Sequence, residues 1–322
     1  MTPSSPPSPH RASALARLQQ GIALSSLVGM ALWWHWWWHS APVLAVVGAM
    51  VIVLGYALVL ALQFTLMALI NRGDTAPSLA MGDLVRAWWV EVRLAPQVFS
   101  WRQPFRWHAL PDAAVPPAPG RTAAVLVHGY LCNRGLWAPW MHALQQRGLP
   151  YTSVNLEPVF GSIDEYAPLI EDAVRRAQAL TGRPPLLVCH SMGGLAARAW
   201  LAGTPGASER VCGVVTIGTP HRGTWLARLS HMPNGRQMRV DSDWLQALEA
   251  REAGQGRPPF VCWYSNADNI VFPATTAVLA GADNRHLHAV PHVAMAFHPT
   301  VMSESLAMLA SAGSSPSERT AA

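Results

Sequence analysis

Chemistry in this chain converges on Ser191, Asp268 and His292. Ser191 lies in Leu186-Leu187-Val188-Cys189-His190-Ser191-Met192-Gly193-Gly194-Leu195, an apolar run that breaks into a glycine pair and resumes as an Ala-rich helix. A serine at such a strand-to-helix turn is held in a strained backbone conformation, and small neighbours let strand and helix close up beneath it, exposing the hydroxyl above the sheet edge. The same turn aims the Met192 N–H toward the place where an oxyanion would form. A second apolar run, Phe260-Val261-Cys262-Trp263-Tyr264, ends in Ser265-Asn266-Ala267-Asp268, where an acid is placed to orient a histidine. His286-Leu287-His288-Ala289-Val290 alternates as a short strand, with His292 in the loop beyond it. Upstream, Thr122-Ala123-Ala124-Val125-Leu126-Val127 runs into His128-Gly129-Tyr130, and we assign a second oxyanion N–H to Tyr130. These groups suit nucleophilic attack on an acyl carbonyl. Ser191 attacks as His292 takes its proton, Asp268 fixes the imidazole tautomer and stabilises the imidazolium, and two backbone amides hold the tetrahedral oxyanion.

Other residues compete for these roles. His286 and His288 are rival bases but sit within the strand. Asp241, Asp243 and Asp283 are rival acids and read as solvated loop carboxylates. His128, His190 and His221 read as structural histidines packed around the site. His286, His288 and His292 form an H-x-H-x-x-x-H run, yet no nearby Cys or H-E-x-x-H pattern supports a metal, so no metal or cofactor is expected.

Three blocks stand in order: Val127-His128-Gly129-Tyr130, Cys189-His190-Ser191-Met192-Gly193-Gly194 and Ile217-Gly218-Thr219-Pro220-His221-Arg222-Gly223-Thr224. Together they resemble the H-G-x, G-H-S-x-G and G-T-P-H-x-G-[ST] blocks of bacterial triacylglycerol lipases and esterases of the α/β-hydrolase superfamily. Cys189 takes the first glycine position of the elbow. The resemblance extends from about Arg121 to the last helix. It implies a serine hydrolase acting on acyl esters or lipids, with Ser191, His292 and Asp268 as its triad. An acyltransferase or thioesterase would use the same residues, because an acyl-enzyme is resolved by an alcohol as well as by water. A rival from another class is a catalytically idle hydrolase domain serving as an interaction module.

Hydrophobic residues make up 51% of the chain and charged ones only 13%, and the apolar excess lies before residue 72. Two uncharged stretches, 21–38 and 43–70, are each long enough to cross roughly 30 Å of hydrocarbon at about 20 residues per span. A transmembrane helical hairpin is the economical reading. Trp33-Trp34-His35-Trp36-Trp37-Trp38 then fits an interfacial aromatic belt at its tip. A tryptophan-rich groove is the alternative for that cluster, and a cleaved signal peptide for the first stretch, although bulky tryptophans stand where small residues would be cut. Arg11 and Arg17 precede the hairpin, Arg72 and Arg86 follow it, and its turn has no Arg or Lys. Both termini, and the enzyme, are therefore expected on the cytoplasmic side of an inner membrane.

The domain reading follows: a cytoplasmic N-terminus (1–20), the hairpin (21–72), a juxtamembrane segment and Pro-rich linker (73–120), a catalytic domain (121–312) and a tail (313–322). Residues 1–9 and the tail from about Gly313 are expected to be disordered. Residues 84–94 make an amphipathic helix, equally suited to lie on the membrane or pack on the hydrolase, and residues 111–120 read as a stiff spacer. The net charge is +5, carried without a single lysine and with arginines scattered rather than in runs. That argues against a nucleic-acid partner and for anionic lipid head groups. Cys132, Cys189, Cys212 and Cys262 have no framework spacing and read as reduced thiols. The catalytic domain should be a mostly parallel sheet, with strands near residues 122, 151, 186, 211, 260 and 286. Helices near 136–147, 164–181 and 195–202 should lie on both faces, and 224–258 should form a small cap.

Overall fold

A computed structural model describes residues 13–112 and 115–313 of the chain. The termini expected to be disordered lie outside the described residues, as does Arg11, except that Gly313 ends the last helix. In chain order the elements are α1 (Ala14–Trp37), α2 (Pro42–Ile70), α3 (Met81–Ala95), α4 (Gln103–Phe105), β1 (Ala124–Val127), α5 (Ala138–Gln146), β2 (Tyr151–Ser153), α6 (Ala167–Thr181), β3 (Leu186–His190), α7 (Met192–Gly203), β4 (Gly213–Ile217), α8 (Pro233–Gln237), α9 (Asp243–Glu252), β5 (Phe260–Ser265), β6 (Asp283–Leu287), α10 (His292–Met295) and α11 (Pro299–Gly313).

The six strands form one parallel sheet in the order β2-β1-β3-β4-β5-β6. A parallel sheet needs crossover helices, which cover both faces, so its central strands are apolar on both sides instead of alternating with polar residues. Val125, Val127, Leu187, Cys189 and Val214 join the core shared with α6 and α7. Ala124, Leu126, Leu186, Val188, Val215 and Trp263 point the other way, into the core shared with α5 and α11.

The strand starts expected near 122 and 211 fall two residues later, and the last strand runs ahead of its expected start at 286, occupying Asp283–Leu287. It ends there because Ala289 takes a left-handed conformation (φ 58°), while the Ala289 and Val290 amides leave the ladder for Asn266 Oδ1 and Ser265 Oγ. The expected cap divides. Its second half, α9, is tied to α7 by Arg198, whose guanidinium grips Glu252 at 2.8 and 2.7 Å, so only the part through α8 stands apart from the helical layer.

Before the catalytic domain, α1 and α2 pack side by side as a hairpin. Small buried residues, Ala45 and Ala49, line the contact, and near the tip Trp33 Nε1 donates to Leu44 O at 3.0 Å. Of the two expected spans, α2 alone among the described residues is long and apolar enough by length and composition to cross a bilayer. The first helix starts at Ala14 rather than 21, carries Gln19, Gln20, Ser25 and Ser26, and docks its first turns on the catalytic body. There Leu15 and Ala16 are buried, Ala14 N donates to Glu157 Oε1, and Gln20 Nε2 donates to Pro104 O. At the foot of α2, Phe64 and Met67 pack with Ala87 of α3 against Ala267 and Phe272 of the catalytic domain. Each of those two large side chains stabilises the junction by about 1.5–3 kcal/mol.

Of the two readings of 84–94, packing on the hydrolase is observed: α3 buries Ala87, Glu91 and Val92 and leaves Val85, Trp89 and Val90 exposed. The stretch read as a spacer is pinned down. Asp112 is buried and paired with Arg134 at 2.6 Å and Arg176 at 2.7 Å, and the Ala118 and Gly120 amides donate to Leu180 and Thr181.

Candidate active site

Strands β3, β5 and β6 end on the same edge of the parallel sheet, with β4 between the first two, and each leads into one of the three residues. Open parallel sheets bind ligands in crevices at the carboxyl ends of their strands. At the end of β3 the chain turns into α7 through Ser191, whose φ of 55° and ψ of −129° lie where a non-glycine residue is strained by about 1–3 kcal/mol. The strain is held from both sides: Ser191 N donates to Ile217 O at 2.8 Å, and Thr219 Oγ1 donates to Ser191 O at 2.8 Å. Gly129 comes so close that a Cβ there would lie 2.6 Å from Ser191 Cβ and 3.3 Å from its hydroxyl. That approach explains the glycine, and it sets the turn at Tyr130 beside the nucleophile position. Met192 opens α7. The two residues assigned as amide donors thus flank Ser191 from different elements.

Asp268 lies three residues beyond β5. Its Oδ1 accepts the Ile270 and Val271 amides at 2.9 and 2.8 Å, and the carboxylate meets His292 Nδ1 at 2.9 Å. Thr224 holds this loop, donating through Oγ1 to Ile270 O at 2.6 Å and accepting from Phe272 N. The third sequence block therefore has a mechanical meaning: Thr219 at one end grips the Ser191 turn and Thr224 at the other grips the acid loop.

His292 was expected in a loop and instead opens the single turn α10, because its own N–H is taken up by Asn269 Oδ1 at 3.2 Å and that of Val293 by Glu91 Oε1 at 3.0 Å. Burial alone would lower the His292 imidazole, but the charge and hydrogen bond of Asp268 outweigh it and hold the group above its ordinary value. With Nδ1–H directed at Asp268, the neutral ring carries its lone pair on Nε2. Gly218, one residue past the Ile217 carbonyl that anchors Ser191, packs against both Asp268 and His292. Ser191 and the acid–base pair thereby share one wall.

The rival residues are placed elsewhere. His286 lies against the Tyr264 ring and His288 faces Asp83 of α3 at 3.2 Å, so the H-x-H-x-x-x-H run is not gathered around one point. Asp283 pairs with Arg285, Asp243 opens α9, and Asp241 lies at the turn before it. His128 Nε2 accepts the Leu156 amide at 3.0 Å, and burial holds its ring down at about 4. His221 meets Thr216 Oγ1 at 3.0 Å. His190 packs its ring against that of His292, with centroids 4.6 Å apart, and lies 3.2 Å from the His292 carbonyl. The four cysteines are free thiols, three of them buried.

Sequence reasoning missed three residues around His292. Asn269 is fully buried between His292 N and Gln63 Oε1 of α2, and Glu91 of α3 reaches the residue after His292. For Glu91 the available signal is a carboxylate four residues after Ala87 on the face that a helix would bury. Gln63 gives a similar one, as the only amide in an otherwise apolar helix.

No protein-family model matches the sequence, and no curated protein does. Among solved structures the chain is similar to the mature form of Bacillus licheniformis lipase BlEst2, at 18% identity and a TM-score of 0.53, over 60% of this chain and 94% of that one. It is similar to the propeptide form of the same lipase at 18% identity and a TM-score of 0.50, over 58% of this chain and 51% of that one. Aspergillus fumigatus lipase B gives 20% identity and a TM-score of 0.47, over 52% of this chain and 45% of that one. The chain thus spans about half the length of the last two. The parallel sheet, the strand-to-helix turn at Ser191 and the likeness to the mature lipase make this the α/β-hydrolase fold.

Proposed function

We propose that the chain is a membrane-anchored serine ester hydrolase working through Ser191, His292 and Asp268. The observation that carries this reading is the buried Asp268–His292 pair at 2.9 Å, set behind a serine whose backbone is held in a left-handed turn. In this mechanism Ser191 Oγ attacks the acyl carbonyl while His292 Nε2 takes its proton. The tetrahedral oxyanion rests on the Tyr130 and Met192 amides. His292 returns the proton to the leaving alkoxide as the acyl-enzyme forms, and water repeats the sequence to release the acid. The similarity to a Bacillus licheniformis lipase fits this chemistry. Full-length protein in detergent should react with a fluorophosphonate probe and hydrolyse p-nitrophenyl esters, and Ser191→Ala should abolish both while the fold survives. Labelling that persists on the folded variant moves the nucleophile elsewhere. A thioester run alongside the ester panel separates ester from thioester preference.

The anchor belongs to the same proposal. At about 1.5 Å per residue, the 29 residues of α2 extend about 44 Å, more than a hydrocarbon core requires. Val43, Leu58 and Leu62 on α2, with Ile22, Val28 and Leu32 on α1, are exposed along the hairpin. Both ends of the hairpin meet the catalytic domain and its tip carries the stacked Trp34–Trp38 pair, which suits insertion from one side; the arginines on either side of the hairpin and none in its turn favour the cytoplasmic side. Acyl esters of membrane lipids would then reach the site laterally. Alkaline phosphatase and green fluorescent protein fusions to the C-terminus test the orientation. Strong phosphatase activity with a dark fluorescent fusion overturns it and leaves the chemistry untouched.

A further inference from the structure

Glu91 is the anomaly in the lower part of the molecule. It sits within α3, only 2% exposed, 202 residues before the amide it touches. Its Oε1 accepts the Val293 amide at 3.0 Å, and its Oε2 is buried with no hydrogen-bond partner among the described residues. A glutamine would accept the same hydrogen bond with no charge to desolvate, and burying a carboxylate costs several kcal/mol. The helix bears that cost at the amide of the residue that follows His292. The charged and titratable groups that bear on Glu91 are His292 of α10 and Asp268 of the acid loop, while the His190 ring lies tilted against that of His292. Burial above all, with a smaller push from Asp268, raises the Glu91 carboxyl to about 7 against the opposing pull of the Val293 amide and His292.

We propose that Glu91 is a positioning residue for the base: by holding the Val293 N–H it fixes the first turn of α10, and its carboxylate sets a second negative charge beside the imidazole. It does so from the helix that follows the hairpin, in parallel with Gln63 of α2, which holds Asn269 and through it the His292 amide. The anchor and the base are thus one mechanical unit. The inference rests on the reading of His292 as base in the proposed function. It goes further by making the segment before the hydrolase domain part of the active site.

The test uses full-length protein in detergent: wild type, Glu91→Gln and Glu91→Ala, with kcat and KM for a p-nitrophenyl ester followed across pH. Wild type is first labelled with a fluorophosphonate, and an unlabelled wild type defeats the serine reading itself, with this inference falling alongside it. Glu91→Gln keeps the hydrogen bond and loses the charge, so its plateau turnover should stay near wild type. The acid limb of kcat/KM should move to lower pH, because protonated His292 loses a neighbouring anion. Glu91→Ala should lower kcat about 10–100-fold with little change in KM, since a base misplaced by about 1 Å can cost about 10²-fold. An unmoved acid limb in the glutamine variant, a glutamine variant as crippled as the alanine one, or an alanine variant with wild-type turnover overturns the proposal. Should Glu91→Ala fail to fold, the acid limb of Glu91→Gln decides alone.

Discussion

Gly218→Ala is the substitution whose consequence follows most directly from the geometry. Gly218 has a φ of +58°, and a Cβ there would lie 2.9 Å from Met295 Cε, 3.0 Å from Asp268 Oδ2 and 3.1 Å from His292 Nδ1. Optimal carbon contacts are about 3.5–4.0 Å, so each neighbour must retreat by roughly half an ångström or more. Met295 can swing its terminal methyl. Asp268 and His292 cannot both retreat without lengthening the 2.9 Å bond between them. The left-handed backbone adds about 1–2 kcal/mol for any residue with a Cβ, and forced overpacking typically adds about 1–3 kcal/mol. We expect a folded protein about 2–5 kcal/mol less stable, with kcat lowered about 10–100-fold by the displaced pair. Gly254→Ala is the control, because its φ is +76° and nothing lies within 4 Å of its Cβ position. It incurs the backbone strain alone and should keep full kcat. Ester hydrolysis at saturating substrate and thermal unfolding of both variants provide the assay. Wild-type kcat in Gly218→Ala, or an equal loss in Gly254→Ala, refutes the reasoning.

Three further expectations follow. His292→Ala and Asp268→Asn should each lower turnover by orders of magnitude, and the double variant should be little worse than the poorer single, because triad members act as a unit; additive losses in ester hydrolysis would argue against a shared mechanism. Cys189→Gly should keep kcat while losing about 1–3 kcal/mol of stability, since Cys189 is a fully buried core residue of β3 and not part of the turn; a stably folded variant without activity would give the thiol a role. His128, His190 and His221 are all held below their ordinary 6.5 by burial, so below about pH 6.5 the unfolded chain binds protons that the folded chain refuses. Stability should therefore fall with pH by about 1.4 kcal/mol per unit for each such histidine, for His128 down to about pH 4. A urea midpoint that holds level between neutral and mildly acidic pH contradicts this.

The sheet and the Ser191 turn were readable because their signals are local. A buried parallel strand is an unbroken apolar run, and a nucleophile turn is small residues between such a run and a helix. Asp268 and His292 were readable from their place after strands β5 and β6. The grip of the N-terminal segment was not: the bonds Gln63–Asn269, Asp83–His288 and Glu91–Val293 each join residues some two hundred positions apart, and no periodicity encodes a partner at that distance. The same limit hid Asp112. Its Pro-rich surroundings dictate an extended backbone, whereas the two arginines that capture it come from Arg134, just before α5, and Arg176 on α6. The last strand shifted for a similar reason, because pairing of β6 with β5 from Val261↔Asp283 onward decides where that strand begins.

The Asp112 junction has a further consequence. Arg134 is almost wholly buried, and besides Asp112 and Ser153 it binds the Trp107 and Leu110 carbonyls, riveting the chain that leaves α4 to the flank of the sheet. A domain on a leash samples all heights and tilts above its anchor. This chain is tied at α1, at the foot of α2, at α3 and again at Asp112. For the membrane-anchored hydrolase proposed above, those ties would fix the distance from the Trp-rich tip of the hairpin to Ser191 and make it a ruler in the bilayer. Cleavage would be graded by how far an ester bond can rise from its resting depth, and moving the hairpin by one helical turn would change which ester positions are cut before it changed how fast.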